Sequence, residues 1–534
     1  MTSTVFRTLT EVVTFHAEHQ PERVAIVCDG REMTYRQLHV ESNRLARAIR
    51  AGNIGRGARI GYLGMESERY YELVFACAKS ETVLVPINWR LAPAEVAHIL
   101  RDSGAELLFV EHEFLATVGE QQTELPRLAR LGSVIDLDGT GPLGSALQAW
   151  KAGHSGDDLA PATGTDDPIV QLYTSGTTGL PKGVVLAQRS FFMLRDRLRE
   201  HGSDWIDWKP DDVNLIGIPG FHVAGIWWAI QGLAAGVTNV AMRTFRSKDA
   251  VRLLVEHGIT TTVVVPAMLH MMLSEPRAEP RAEPMAGANP FASLRKLGYA
   301  GSPITESLLL QAMEVLGCEL TQFYGLTESG GVAVCLPARD HVIGGPKLRA
   351  AGLPCPGFEV KVIDAGGKLL PPGEVGQICL RSPALMLEYW GLPEATRETL
   401  VDGWLLTGDA GHLDPDGYVF ISDRIKDTII VAGENIFPAE VENALCKHPA
   451  VAEAAVIGIP DERWGEVALA FVVLRPGAKA TPRELMLSLK GMIADFKIPP
   501  RYEFIDAVPR NPSGKILRRI LRDKFWAHME RKVN

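Results

Sequence analysis

Apolar and polar positions repeat along this chain with two different periods, and the change from one to the other divides it. In "YRQLHVESNRLARAIRAG", Leu38, Leu45, Ala46 and Ile49 fall on one helical face and Gly52 ends the run. That spacing predicts a helix. The strand-like run "ARIGYLG" follows, and helix then strand recurs in "YYELVFACAKSETVLVPIN" and "PAEVAHILRDSGAELLFV". The alternation predicts an α/β architecture with at least one largely parallel sheet. After about Gly352 strict alternation takes over in "FEVKVID", "GQICLRS" and "GYVFISDR", with turns such as "GGKLLPPGE" and "DPDG" between them. These segments predict short, mainly antiparallel strands. Beyond Arg424 the texture changes once more. "FPAEVENALCKH" and "RELMLSLKGMI" have helical spacing, whereas "VAEAAVIGIP" and "EVALAFVVL" read as strands, which predicts a small separate α+β unit.

Two stretches need individual treatment. Leu215 to Val237 is long and apolar, yet it contains Pro219, His222, Gln231 and five glycines. A core helix preceded by a loop accounts for it better than a membrane span. "EPRAEPRAEP", Glu275 to Pro284, is a tandem repeat whose prolines and charges predict a solvated surface loop.

Composition narrows the class. Of 534 residues, 46% are apolar and 22% charged, the balance of a soluble globular protein. A net charge of −9, spread along the chain, argues against nucleic acid as a main partner. The seven cysteines occur singly, without a CxxC pair, as expected of buried inert thiols in a reducing cytoplasm. "MTSTVFRTLTEVV" has no apolar core of the kind a signal peptide carries.

The candidate chemistry centres on "YTSGTTGLPKG", Tyr173 to Gly183, which follows the strand-like "PIVQLY". Its glycines allow backbone N–H groups to close on an anion, Ser175, Thr177 and Thr178 add donors, and Lys182 adds positive charge. It is not a Walker loop. Counted from Gly176, the second required glycine falls on Pro181, and Lys182 is followed by Gly183 in place of Ser or Thr.

The whole string resembles the phosphate loop of the adenylate-forming superfamily, which includes acyl-CoA synthetases, adenylation domains of nonribosomal peptide synthesis and firefly luciferases. Six further segments resemble that family in the expected order: "PGFHVAG" (219–225), "YAGSPI" (299–304), "YGLTE" (324–328), "DGWLLTGD" (402–409), "DRIKDTIIVAGENIFPAEVE" (423–442) and "NPSGKILRR" (511–519). The resemblance implies a large N-terminal domain over residues 1–424, built of parallel-type α/β sheets with a small β-barrel-like subdomain at about 350–424. A small mobile α+β domain over 425–534 would follow. It also implies a two-step reaction: a carboxylate attacks the α-phosphorus of ATP to give acyl-adenylate and pyrophosphate, and a thiol then displaces AMP.

The roles below follow from that resemblance. Thr174, Ser175, Gly176, Thr177, Thr178, Gly179 and Lys182 would hold the β- and γ-phosphates and release pyrophosphate. Glu328 would bind Mg²⁺, an ion that prefers oxygen ligands, and Thr327, beside Gly325, would donate to the α-phosphate. Tyr324 would stack on adenine opposite Gly301, Ser302 and Pro303, with Gln322 and Phe323 nearby. Asp409 would accept from the ribose hydroxyls, Arg424 would reach the ribose or α-phosphate, and Ile421 would pack beside them. Lys515 would bridge the attacking carboxylate and the α-phosphate, neutralising developing charge. Lys426 would be the hinge about which the C-terminal domain alternates between adenylation and thiol transfer. Gly433, Glu434 and Trp464 would line the thiol channel, with Ala432 where many relatives have glycine. His222 would sit between the ATP and acyl sites, and Gly225 and Trp227 would form the acyl wall. Trp228 is adjacent to Trp227, so a helix cannot turn both into one pocket.

The favoured reading is a cytoplasmic ATP-dependent acyl-CoA synthetase with ATP, Mg²⁺ and CoA as reaction components, and the resemblance brings in a homodimer, since relatives are often dimers. "DERWGEVALAFVV" (461–473) resembles the stretch that CoA ligases place near the CoA nucleotide. "FHVAGIWWAIQGL" carries no charged residue, so an apolar acyl group is expected, whether fatty, aromatic or polycyclic. Two alternatives stay open: transfer of the acyl group to a carrier-protein thiol, and a catalytically inactive nucleotide-binding protein.

Overall fold

A computed structural model describes residues 5–119, 134–136, 147–159, 163–174, 181–202, 207–275, 289–302, 304–431, 434–461, 465–510 and 516–526. Among these residues four sheets form, two large and two small.

The first large sheet has nine strands. Its centre is parallel: Val24–Cys28, Thr238–Ala241, Val213–Ile216, Thr261–Val264, Lys296–Ala300 and Glu319–Tyr324 run side by side. Antiparallel strands close both edges, Arg31–Thr34 on one side and Val334–Leu336 with Leu353–Pro354 on the other. The second large sheet has seven strands. Pro168–Thr174, Val83–Ile87, Arg59–Leu63, Leu107–Val110 and Val134–Asp136 are parallel, and Lys182–Ala187 and Glu388–Tyr389 are antiparallel. Strands such as "VLVPI" are buried throughout, as parallel strands covered on both faces must be.

The helices form where the spacing predicts them. Tyr35–Ala51 starts from a Thr34/Gln37 capping box and ends at Gly52. The predicted face, Leu38, Leu45, Ala46 and Ile49, is fully buried. Glu68–Ser80 is buried on every side, the signature of a helix enclosed by other layers. The long apolar stretch resolves into the strand Val213–Ile216, a loop and the helix Val223–Ala235. No helix among the described residues is long and apolar enough to cross a membrane. Most of the repeat at 275–284 lies outside the described residues.

The third sheet is antiparallel: Glu359–Ile363, Gly376–Arg381, Trp404–Leu413, Leu400–Val401 and Val419–Arg424. It uses the three alternating segments read from sequence and adds the site motif "WLLTGD" as its longest strand. Two segments inside the same span leave it: Glu388–Tyr389 joins the seven-stranded sheet, and Leu353–Pro354 joins the nine-stranded one. The fourth sheet is built from Ile429–Val431, Glu434–Ile436, Val451–Asp461, Gly465–Leu474 and Arg501–Phe504. Its two apolar clusters contain only residues from Ile429 onward. All seven cysteines are free thiols. Burial pushes the thiols of Cys28 and Cys77 up to about 12, which leaves them unreactive.

Candidate active site

The nucleotide candidates converge at the carboxyl ends of the parallel strands, where open α/β sheets place their ligands. Lys296–Ala300 and Glu319–Tyr324 are register partners through Ala300 and Phe323, so Gly301, just past its strand, lies next to Tyr324, the last residue of the neighbouring one. Gly301 has φ +85°, a conformation that costs glycine little. At Gly325 a Cβ would meet the Gly331 carbonyl oxygen at 1.8 Å, so only glycine fits there. Gln322 accepts from the Tyr299 hydroxyl at 3.1 Å, which fixes its amide, and Phe323 is buried in the core.

The antiparallel sheet supplies the next contacts. Asp409 and Arg424 are paired across Trp404–Leu413 and Val419–Arg424, and their side chains form an ion pair at 2.9 Å. The Tyr324 hydroxyl donates to the second Asp409 oxygen at 2.7 Å. Arg424 Nη1 also donates to the Thr407 carbonyl at 3.1 Å. Burial would lower the Arg424 pKa, but Asp409, Tyr324 and Glu328 outweigh it, and the guanidinium is held more firmly protonated than usual. Burial likewise raises the Tyr324 phenol well above its ordinary value, which keeps it a donor. Asp409 is nearly inaccessible, and each of its carboxylate oxygens has a lone pair beyond those used by Arg424 and Tyr324. Ile421 is half-buried on the strand that carries Arg424.

The phosphate loop joins two antiparallel strands, with Thr174 paired to Lys182. A Walker loop instead leads from a strand into a helix. Ser175, Gly176, Thr177, Thr178 and Gly179 lie outside the described residues, as does Pro303. Lys182 is placed by an element that sequence reasoning missed. Residues 386–390 run along the 182–187 strand, with Trp390 N donating to Gly183 O at 2.7 Å and Leu387 N to Val185 O at 2.8 Å. The same segment holds the "YGLTE" loop. Met386 N donates to Glu328 O at 2.9 Å, and the Tyr389 hydroxyl donates to Glu328 Oε1 at 2.8 Å. The Lys182 ammonium stands 5.0 Å from the Tyr389 ring centroid, within cation–π reach. Tyr389 therefore links the loop lysine to the Glu328 carboxylate. No motif in "LEYWGL" announces it.

The described residues contain no group of three or more His, Cys, Asp or Glu side chains able to enclose a metal ion. Mg²⁺ takes one or two carboxylates and completes its shell with water and phosphate oxygens. Glu328, oriented by Tyr389, is a carboxylate of the required kind.

The acyl candidates surround the start of the helix Val223–Ala235. His222 occupies its N-cap position, half-buried, with its ring 4.7 Å from that of Phe221. Gly225 is glycine for a packing reason: a Cβ there would meet Pro219 O at 2.2 Å. Trp227 packs on the loop after Glu328, since a Cβ on Gly331 would meet its ring at 2.9 Å. Trp228 turns the other way and donates from Nε1 to Asn214 Oδ1 at 2.6 Å, deep in the core.

On the C-terminal side, Lys426 lies in the short turn Ile425–Asp427 between the third and fourth sheets. Glu434 opens a strand and pairs with Val431, so the two flank residues 432 and 433. Ala432, Gly433, Trp464 and Lys515 lie outside the described residues, and Arg510 bridges to Ile516 across the last of these. Three residues past Lys515, Arg518 holds Glu442 at 2.8 Å and stands within 3.9 Å of Asp423, before the turn, and 3.8 Å of Asp427, its last residue.

Residues 13–390 match the AMP-binding enzyme family, and residues 440–515 match the AMP-binding enzyme C-terminal domain. The chain is 57% identical over 529 residues to the fatty acid–[acyl-carrier-protein] ligase ScoC of Streptomyces coeruleorubidus, covering 99% of this chain and 98% of that protein. It is 35% identical over 505 residues to a long-chain-fatty-acid–CoA ligase of Mycobacterium tuberculosis, covering 93% of each. Its fold is similar to that of the o-succinylbenzoate CoA synthetase of Bacillus subtilis in complex with an acyl-adenylate intermediate, at TM-score 0.81 and 29% identity, over 96% of this chain and 98% of that one. The chain belongs to the AMP-binding enzyme family and is an adenylate-forming ligase.

Proposed function

We propose that this ligase activates a fatty acid as its acyl-adenylate and delivers the acyl group to a phosphopantetheine thiol carried by an acyl carrier protein. The observation that carries the adenylation step is the linked set Lys182–Tyr389–Glu328 beside Tyr324–Asp409–Arg424. It gathers cations and donors where a polyanion and a carboxylate must meet. In this reading Asp409 and Tyr324 orient the nucleoside, Arg424 faces the ribose or α-phosphate, and Lys182 and the loop before it take the leaving pyrophosphate. Glu328 would hold Mg²⁺, whose chemistry there is to neutralise phosphate oxygens. Lys515, on a C-terminal domain of residues 425–534 that turns about Lys426, would complete the site for adenylation and leave it for thiol transfer.

The uncharged segment 223–235 favours an apolar acyl group, and the names of the two relatives agree on a fatty acid. They differ in the thiol. The 57% identical relative is named for a carrier protein. CoA is the second reading, favoured by the segment 461–473 and by the CoA ligases among the relatives. Pyrophosphate release over a panel of fatty and aromatic acids tests the reading, with no thiol, with CoA and with a phosphopantetheinylated carrier protein. Release that requires a fatty acid, with acyl transfer to the carrier protein in preference to CoA, is the expected outcome. Preference for CoA would favour the second reading, and release without any acid would overturn both.

A further inference from the structure

The turn that leads into His222 is held by side chains of the loop and helix that follow the strand Arg59–Leu63, with no place in the chemistry above. Gly220, in "PGFHVAG", has both backbone polar groups engaged. Its N–H donates to Glu66 Oε2 at 2.8 Å, and its carbonyl accepts from the Tyr70 hydroxyl at 2.9 Å. The other Glu66 oxygen takes the Tyr71 hydroxyl in a short hydrogen bond. The contact is too close for any side chain at 220, because a Cβ would meet the Tyr70 ring at 2.4 Å. Glu66, Tyr70 and Tyr71 are all buried. Buried carboxyls are costly and are rarely kept without a task.

From Gly220 the effect is carried along the chain. His222 N donates to Pro219 O at 3.0 Å, and the first helical turn closes on His222 O through the N–H groups of Gly225 and Ile226. Two residues further on, Trp227 packs on Gly331 in the loop that carries Glu328. We propose that Glu66 and Tyr70 are positioning residues for the acyl substrate: by clamping Gly220 they set where Phe221, His222 and the helix behind them stand, and so the fit of the acyl group in preference to that of the nucleotide. This inference rests on the reading of His222 as lying between the ATP and acyl sites.

The clamp also has two protonation states. Burial, aided slightly by the charge of Glu111, pushes the Glu66 carboxyl up to about 7 against the opposing pull of its two hydrogen bonds. The titratable groups facing it are Tyr70 and Tyr71 on the helix that follows it, Tyr62 on the strand before it, Cys28 at the end of the strand Val24–Cys28, and Glu111, itself paired with Arg243. His222 follows two residues after the clamped glycine. In the ionised form Glu66 accepts both bonds. In the neutral form it still accepts from Gly220 and can donate to Tyr71, the same pattern that glutamine would make.

The test uses the full chain and compares the wild type with Tyr70→Phe, Glu66→Gln and Glu66→Leu. The readouts are KM for dodecanoate and KM for ATP in pyrophosphate release, from about pH 5.5 to about 8.5. Tyr70→Phe, which keeps the ring, should raise KM for the acid by about three- to tenfold while KM for ATP moves by less than about twofold. Glu66→Leu should raise it further. Glu66→Gln should keep the wild-type KM at low pH and abolish an inflection near neutrality. Equal shifts in both KM values for Tyr70→Phe, or an inflection that survives in Glu66→Gln, would overturn the proposal. If the wild type releases no pyrophosphate with any acid, the functional reading fails by itself. Amide exchange of residues 219–225 then decides the clamp, because Tyr70→Phe must accelerate it and an unchanged rate refutes the clamp.

Discussion

At the scale of single residues, the candidate site depends on side chains that hold other side chains in place. Tyr389 shows this most clearly. Its hydroxyl orients Glu328 and its ring faces Lys182. Burial, with Glu328 beside it, raises the Tyr389 phenol above its ordinary value, so it remains a donor across the working range. Tyr389→Phe should therefore slow adenylation by about tenfold, as expected for a lost hydrogen bond to a charged acceptor. It should also raise the Mg²⁺ concentration needed for half-maximal pyrophosphate release. An unchanged Mg²⁺ dependence would remove Tyr389 from the site. This residue was not legible in the sequence, because an aromatic in "LEYWGL" has no spacing or neighbour that marks it. Asp409 and Arg424 were legible as motif members, but their pairing was not, since it depends on strand register across a turn. Glu66 was hidden for a different reason. In "MESERYYE" it reads as one of several solvated acids, and only the folded contact with Gly220 reveals it as buried.

At the scale of elements, periodicity was a reliable guide wherever a helix had one covered face. It was weakest for the helix Val223–Ala235, which is apolar all round and whose burial had to be argued from the glycines and His222 before it. One partner of that helix provides a test by pH. His16, at the end of Leu9–His19, donates from Nε2 to Ala234 O at 3.2 Å and accepts at Nδ1 from the Gln20 amide at 3.0 Å. The second contact requires neutral imidazole, whereas the first is open to either protonation state. Burial, opposed by the Ala234 bond, lowers its pKa to about 4. A base depressed on folding contributes stability that is present above its unfolded pKa, near 6.5, and is lost as pH falls through about 4. The wild type should thus lose up to roughly 3 kcal/mol of unfolding free energy between those values from this group alone. Denaturant unfolding of His16→Phe should show a shallower loss over the same window. Parallel pH profiles for the two proteins would contradict the assignment.

At the scale of the whole molecule, the chain is two large sheets and an antiparallel sheet that together frame the nucleotide candidates, followed by a fourth sheet with apolar clusters of its own. Among the described residues, the motif members Gly301, Tyr324, Asp409 and Arg424 sit at or near the ends of strands. What the sequence could not supply was the edge traffic, such as Glu388–Tyr389 crossing to the seven-stranded sheet, since pairing between distant short strands leaves no local trace. In the proposed reaction the two parts share one nucleotide, the C-terminal part lending Lys515 to adenylation and withdrawing it for thiol transfer. The most direct measurement takes Lys515→Ala through both half-reactions separately. Pyrophosphate release from acid and ATP should fall by at least about 10²-fold, while thioester formation from supplied acyl-adenylate should stay within about threefold of the wild type. Equal loss in both half-reactions, or none in the first, would contradict the account.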